Sequence, residues 1–283
     1  MKNKWFTAFL IGSALLLMLI FPEATLKGTR NGLLLWYQHF LPAVFPFMIL
    51  SGLLTGCLKK GGIFFAIAAG FLNGYPTGAK TAADLKKRGL LPEKTACYYA
   101  VFCNMSGPMF MASYAGLKKE MPVIYLTSMA LLFFFCRLTT INDKSSILNS
   151  STVYNKNPTD NDTGSGDYLI GCTDIMVKAG IYIMYFSILT ELLSQPCFDI
   201  PTLKLLIPFL ELTNGIAETR AADFPLPSFS LYYRIFLCVS GGLCTAFQSR
   251  EVTYELNLSL LRYLLLKWIQ ASTVCIVCYL VFR

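Results

Sequence analysis

Apolar stretches close to the length of a bilayer constrain this chain more than any other feature. Trp5–Phe21, Gly32–Leu58, Met121–Arg137, Ile170–Ser194 and Leu258–Phe282 carry few or no charges. A helix needs roughly 20 predominantly apolar residues to cross hydrocarbon. The chain is 55% hydrophobic and only 14% charged, with a mean hydropathy of +0.54. Soluble domains carry about 25% charged residues, so the sequence specifies an all-α, polytopic transmembrane helical bundle embedded in a lipid bilayer.

The net charge of +8 would suggest nucleic acid in a soluble chain. Here the lysines and arginines flank apolar runs, and positive-inside topology accounts for them, so no nucleic-acid partner is expected. The basic start MKNK leads into Trp5–Phe21, and the Pro22-Glu23-Ala24 exit makes a poor cleavage site. Residues 1–31 therefore read as a membrane anchor and not a signal peptide. Most cysteines, Cys57, Cys136 and Cys238 among them, lie inside apolar segments, the pattern of buried thiols and not of a disulfide framework. Arg262 and Lys267, in the last apolar run, read as residues that snorkel toward an interface.

Several segments break off where a spanning helix should continue. Gly61–Leu72 is apolar for too short a stretch to cross and ends at 73-NGYPTG-78; 103-CNMSGP-108 and 240-SGG-242 interrupt two further runs. Pro42 and Pro46 punctuate Gly32–Leu58 and predict a kink. In hydrocarbon every backbone amide needs a partner, so non-helical backbone is tolerated only inside protein or beside a wet cavity. Transporters exploit such breaks, aiming half-helix ends at solute or coupling ions. A plain alternative is that NGYPTG is an interfacial turn, with Pro and Gly in ordinary turn positions.

The two sides of a polar stretch at 139–168, rich in Ser, Thr, Asn and Asp, resemble each other. 47-FMILSGLL-54 matches 186-FSILTELL-193, 73-NGYPTGAKTAAD-84 matches 214-NGIAETRAAD-223, and 106-SGPMFMA-112 matches 240-SGGLCTA-246. Three matches in the same order point to two internal repeats containing broken or re-entrant half-helices. The expected organisation is an anchor at 1–31, a first repeat at 32–138, a linker at 139–168 and a second repeat at 169–283.

Polar residues gather at the breaks. The candidate solute-binding residues are Asn73, Gly74, Pro76, Gly78 and Lys80; Asn104, Ser106, Gly107 and Pro108; and Glu211, Thr213, Asn214, Gly215, Arg220, Gly241, Gly242 and Gln248. Lys80 and Arg220 occupy matched places, as do Asp84 and Asp223. They read either as a solvated rim of charges or as a cationic pair that attracts an anionic solute. His39, the only histidine, reads as interfacial. No motif of soluble catalysis or of a zinc site is present, so the expectation is a protein that is not an enzyme and uses no metal or other cofactor.

Taken together, 33-LLLWYQHFLPAVFPFMILSGLL-54, 70-GFLNGYPTGAK-80, 103-CNMSGPMFM-111, 211-ELTNG-215 and 240-SGGLCTAFQ-248 resemble the sporulation integral membrane proteins of the YlbJ type, within the nucleoside-recognition (Gate) superfamily. The resemblance implies a two-repeat, Gate-like core and a multi-pass protein of the bacterial cell membrane, in the mother-cell or outer forespore membrane. It also implies transport of a small organic anion, dipicolinic acid, during spore formation, with other sporulation membrane proteins as partners. Arg220 lies outside these motifs, so its role rests on the repeat. Two other readings stay open at this point: a nucleoside-type Gate carrier, and a non-transporting membrane scaffold required for sporulation.

Overall fold

A computed structural model describes residues 4–57, 68, 70–72, 74–87, 89, 91–142, 165–196, 206–220 and 227–283. Among these the secondary structure is entirely helical. Helix α1 is Lys4–Ile20. Helix α2, Pro22–Leu35, opens on a proline in its first turn, where the missing N–H costs nothing. It continues through a π-helical turn, Trp36–Phe40, into α3, Leu41–Cys57. The wide turn lies one turn ahead of Pro42, whose ring would otherwise press on the carbonyl of Gln38. The expected interruption near the prolines is therefore a π-turn within a continuous helix, with Pro46 inside α3.

The remaining helices are α4 (Thr77–Lys87), α5 (Glu93–Phe102), the short α6 (Pro108–Phe110) running into a π-turn at Met111–Ala115, and α7 (Met121–Asn142). After them come α8 (Ser165–Leu193), α9 (Leu212–Glu218), α10 (Ser230–Ser240), α11 (Gly242–Gln248), α12 (Arg250–Glu255) and α13 (Leu260–Phe282). Among the described residues five stretches are long and apolar enough to span a membrane: Pro22–Leu50, Met121–Leu138, Leu169–Leu193, Pro227–Gln248 and Leu260–Phe282. The chain is a helical, multi-pass membrane protein. The first of these stretches begins at Pro22, ten residues ahead of the expected Gly32. Helices α7 and α8 extend into both ends of the polar stretch at 139–168; its residues 143–164 lie outside those described.

Small residues decide how α2 meets α8. Ala24, Gly28 and Gly32 recur every fourth residue and are buried. A Cβ on Gly28 would come within 2.6 Å of the Ile188 Cα, and one on Gly32 within 2.6 Å of the Met184 Cα. Without side chains in the way, two backbones approach closely and gain dispersion contact, which drives association where lipid is as apolar as leucine. The Trp36 indole N–H then donates to Met176 O at 3.0 Å. At the far end Asn31 donates to Glu191 at 2.9 Å and Lys27 pairs with it at 2.9 Å.

Two interrupted helices pass through the centre in opposite directions. At one end of the bundle Asn257 donates to Glu93 at 2.9 Å, Lys86 reaches Glu255 O at 3.2 Å, and Cys97 lies against Leu256 O. At the other end Arg234 donates to Ala115 O at 2.9 Å, and Tyr232 packs edge-on against Tyr279. Helix α5 therefore starts where α12 finishes, and α10 starts where the Met111–Ala115 turn finishes.

Candidate functional site

Both helices lose their regular hydrogen bonds near the middle of the bundle, and the sequence supplies a partner for nearly every group set free. The first break, between Phe102 and Pro108, packs against a turn at Gly74. The Gly74 φ of +67° is left-handed, and an added Cβ would lie 2.5 Å from Gly107 N and 2.6 Å from Met105 O. Only glycine fits that backbone conformation and that approach. Tyr75 N donates to Met105 O at 3.1 Å, and Thr77 Oγ1 donates to Gly74 O at 2.8 Å. Gly78 lets α4 lie against the Cys103 carbonyl, 2.9 Å from an ideal Cβ. The Tyr75 and Ser106 hydroxyls share a hydrogen bond of 2.9 Å, and Tyr125 donates to Ser106 O at 3.0 Å. Residues 74–79 are all buried within the protein.

At the second break Glu211 caps α9. One carboxyl oxygen accepts from Thr213 N and Thr213 Oγ1, both at 2.9 Å, and the other accepts from Asn214 N at 2.7 Å. Asn214 Nδ2 donates to Ser187 Oγ at 2.8 Å. Gly215 is required because a Cβ would overlap Pro208 O. Gly241 and Gly242 are left-handed, at +81° and +72°, and a Cβ on Gly242 would lie 2.7 Å from Phe209 O. Cys244 N donates to Leu210 O at 2.9 Å. The two breaks meet where Ser106 N donates to Cys238 O at 3.0 Å.

Helix α13 closes the arrangement from behind. Lys267 is fully buried, and its ammonium donates to Val239 O at 2.9 Å and to Gln270 Oε1 at 3.1 Å. Gln270 Nε2 in turn donates to Phe102 O at 2.9 Å. Lys267 therefore does not snorkel to an interface, contrary to the sequence expectation: α13 turns it inward, because carbonyls freed at a helix end answer its charge. Asn104 Nδ2 donates to Ser249 Oγ and to Tyr263 Oη, each at 2.8 Å. Asn104 Oδ1, Ser240 Oγ and Gln248 Oε1 are buried with no hydrogen-bond partner among the described residues.

A pocket of about 400 Å³ opens beside the breaks, lined by Gln38, His39, Pro42, Ala43, Met109, Ser113, Tyr114 and Arg220. The Arg220 guanidinium donates to Tyr114 O and lies over the Tyr114 ring, 5.8 Å from its centre. His39 also packs against Tyr114, with ring centres 4.7 Å apart. Tyr114 also links pocket and break, since its hydroxyl donates to Thr213 O at 2.9 Å. The lining includes a guanidinium and no carboxylate.

The sequence-chosen residues thus divide. Gly74, Pro76, Gly78, Asn104, Ser106, Gly107, Pro108, Glu211, Thr213, Asn214, Gly215, Gly241, Gly242 and Gln248 lie at or next to the breaks, while Asn73 lies outside the described residues. Lys80 and Arg220 are not brought together. Helix α4 carries exposed Lys80 toward the end at Glu93, and α9 carries exposed Arg220 toward the opposite end at Ala115. They are no cationic pair, because the segments that hold them leave the breaks in opposite directions. Arg220 alone of the chosen residues lines the pocket. His39, Tyr114, Lys267 and Gln270 were not chosen as site residues, although Tyr263, Lys267, Gln270, Ala271, Val274 and Cys278 fall at helical spacing along one buried stripe.

Fold and site define a multi-pass helical membrane protein with two interrupted helices crossing at its centre. Over 108 residues the chain is 30% identical to the sporulation integral membrane protein YlbJ of Bacillus subtilis (strain 168), an alignment covering 32% of this chain and 26% of that protein. The match spans about a quarter of the relative's length. No protein-family model and no solved structure matches the chain.

Proposed function

We propose that this membrane protein acts in spore formation as a permease for a small organic anion, with dipicolinate as the first candidate. The pocket carries the reading. It has a volume within the usual range for small-molecule sites, its charge comes from Arg220 with no lining carboxylate to oppose it, and Tyr114 couples it to the second break. A guanidinium engages a carboxylate through two parallel N–H donors, and one donor of Arg220 on Tyr114 O leaves others for a solute. Two antiparallel interrupted helices support the reading of inverted, half-helix-bearing repeats, the architecture that alternating-access carriers use. The sporulation context rests on the partial likeness to YlbJ.

The test is uptake of labelled dipicolinate into liposomes holding the purified protein, beside Arg220→Ala and Lys80→Ala. Saturable uptake that Arg220→Ala abolishes and Lys80→Ala leaves intact is the expected result. A nucleoside arm distinguishes the nucleoside-type carrier. A specific observation favours the second reading, a non-transporting scaffold: most polar groups at the breaks are already paired internally, through Tyr75–Ser106, Asn104–Tyr263 and Lys267–Val239. Folded protein that moves neither solute would favour it.

A further inference from the structure

Helices α5 and α10 enter from opposite ends, so both present C-terminal carbonyls at the centre. Each helix C-terminus carries the equivalent of about half a negative charge. Two such ends amount to roughly one negative charge in the buried core of the bundle. Transporters with broken helices commonly answer this with a bound cation, coordinated by the same class of carbonyl.

Here Lys267 stands in that place. Its ammonium touches the end of α10 directly, at Val239 O, and holds Gln270, whose amide touches the end of α5 at Phe102 O. Lys267 and Gln270 are one helical turn apart on α13 and both fully buried. No salt bridge to Lys267 is found among the described residues; its two acceptors are a carbonyl and a side-chain amide oxygen. A lone charge deep in a bilayer costs about 2.5–3.5 kcal/mol on insertion scales, and the helix ends are what offsets it.

We infer that Lys267 is a tethered counter-cation which occupies the position where an alkali ion would otherwise bridge the two half-helix ends. The protein then needs no bound sodium or potassium at its centre, and removing the ammonium creates a monovalent-cation site lined by Val239 O and Gln270 Oε1, with Gln270 Nε2 still tying it to Phe102 O. The inference concerns the breaks themselves and does not depend on which solute is carried.

Thermal unfolding of the purified full chain in detergent tests it, with chloride salts of choline, sodium, potassium and methylammonium at equal ionic strength. Wild type should melt within about 1 °C of the same temperature in all four. Lys267→Ala should fall by about 5 °C or more in choline and regain at least half of the loss in methylammonium or sodium. Lys267→Met, which fills the space without a charge, should fall and regain nothing. Cation-dependent melting of the wild type would overturn the inference, as would an alanine variant that is stable in choline or that no cation restores. Should the alanine variant fail to fold, the wild-type arm and Lys267→Arg decide. The arginine variant keeps the charge and must melt independently of the cation; a sodium requirement there overturns the inference too.

Discussion

At the first break the freed backbone is met by hydroxyl and amide groups: Tyr75, Ser106, Tyr125 and Thr77, with Asn104 held between Ser249 and Tyr263. At the second it is met by ionisable groups, the Glu211 carboxyl at the start of α9 and the Lys267 ammonium at the end of α10. The second break also holds Ser240 Oγ and Gln248 Oε1, buried with no hydrogen-bond partner among the described residues, against Asn104 Oδ1 at the first. A charged partner binds backbone roughly twice as strongly as a neutral one, yet its loss strands more. The difference separates a neutral scaffold on one side from a strongly held, incompletely satisfied segment on the other. Both segments reach the pocket, the first through Met109, Ser113 and Tyr114 and the second through Arg220, and the Tyr114 hydroxyl joins them at Thr213 O.

Substitutions at the two breaks put numbers on the contrast. Glu211→Ala leaves two backbone donors and one hydroxyl without acceptors, at about 1–3 kcal/mol each when buried, so a loss of about 4 kcal/mol is expected in thermal unfolding. Glu211→Gln keeps one acceptor oxygen and should lose about half of that. Gly74→Ala comes next, at about 3 kcal/mol, from left-handed backbone and overlap with Gly107 N and Met105 O. Tyr75→Phe removes one neutral hydrogen bond and should cost about 1 kcal/mol. Should Tyr75→Phe cost as much as Glu211→Ala, the distinction between the two breaks collapses.

Most spanning segments and the places where they break were legible because apolar length and Asn, Gly and Pro act locally; the expected span Trp5–Phe21 is not among the five, its apolar helix Ile11–Ile20 being too short. Gly74, Gly78, Gly215, Gly241 and Gly242 are needed for close backbone approach or left-handed conformation, and the sequence advertises that need directly. What was hidden depends on orientation. Lys267 in an apolar run looks the same from sequence whether its stem reaches outward to headgroups or inward to carbonyls; only the buried stripe from Tyr263 to Cys278 separates the two. The Lys80–Arg220 pairing failed for a related reason. Matched positions in segments that leave the centre in opposite directions are sent apart, and sequence likeness carries no direction. The Ala24–Gly28–Gly32 stripe was masked by Lys27 and Arg30, whose charges interrupt the apolar run, although Lys27 itself reaches α8 at Glu191.

The smallest expected effect lies outside both breaks and serves as their control. Glu93, exposed at the end of the bundle, is held below the ordinary carboxylate range first by the hydrogen bond from Asn257 and then by Lys86, 3.2 Å away. Its folded value lies below its unfolded value, so its contribution is complete above the unfolded value and disappears as pH falls through the folded one. Glu93→Gln should therefore melt slightly below wild type at neutral pH, and the gap should close on acidification below about pH 4. The contact joins the start of α5 to the chain after α12 without touching either break. Its loss should leave the Glu211, Gly74 and Tyr75 differences unchanged and additive within about 0.5 kcal/mol. A double variant of Glu93→Gln with Glu211→Ala that departs from additivity by more than that would mean the second break is held from the surface, and the contrast between the two breaks would then lie in their outer connections instead of their chemistry.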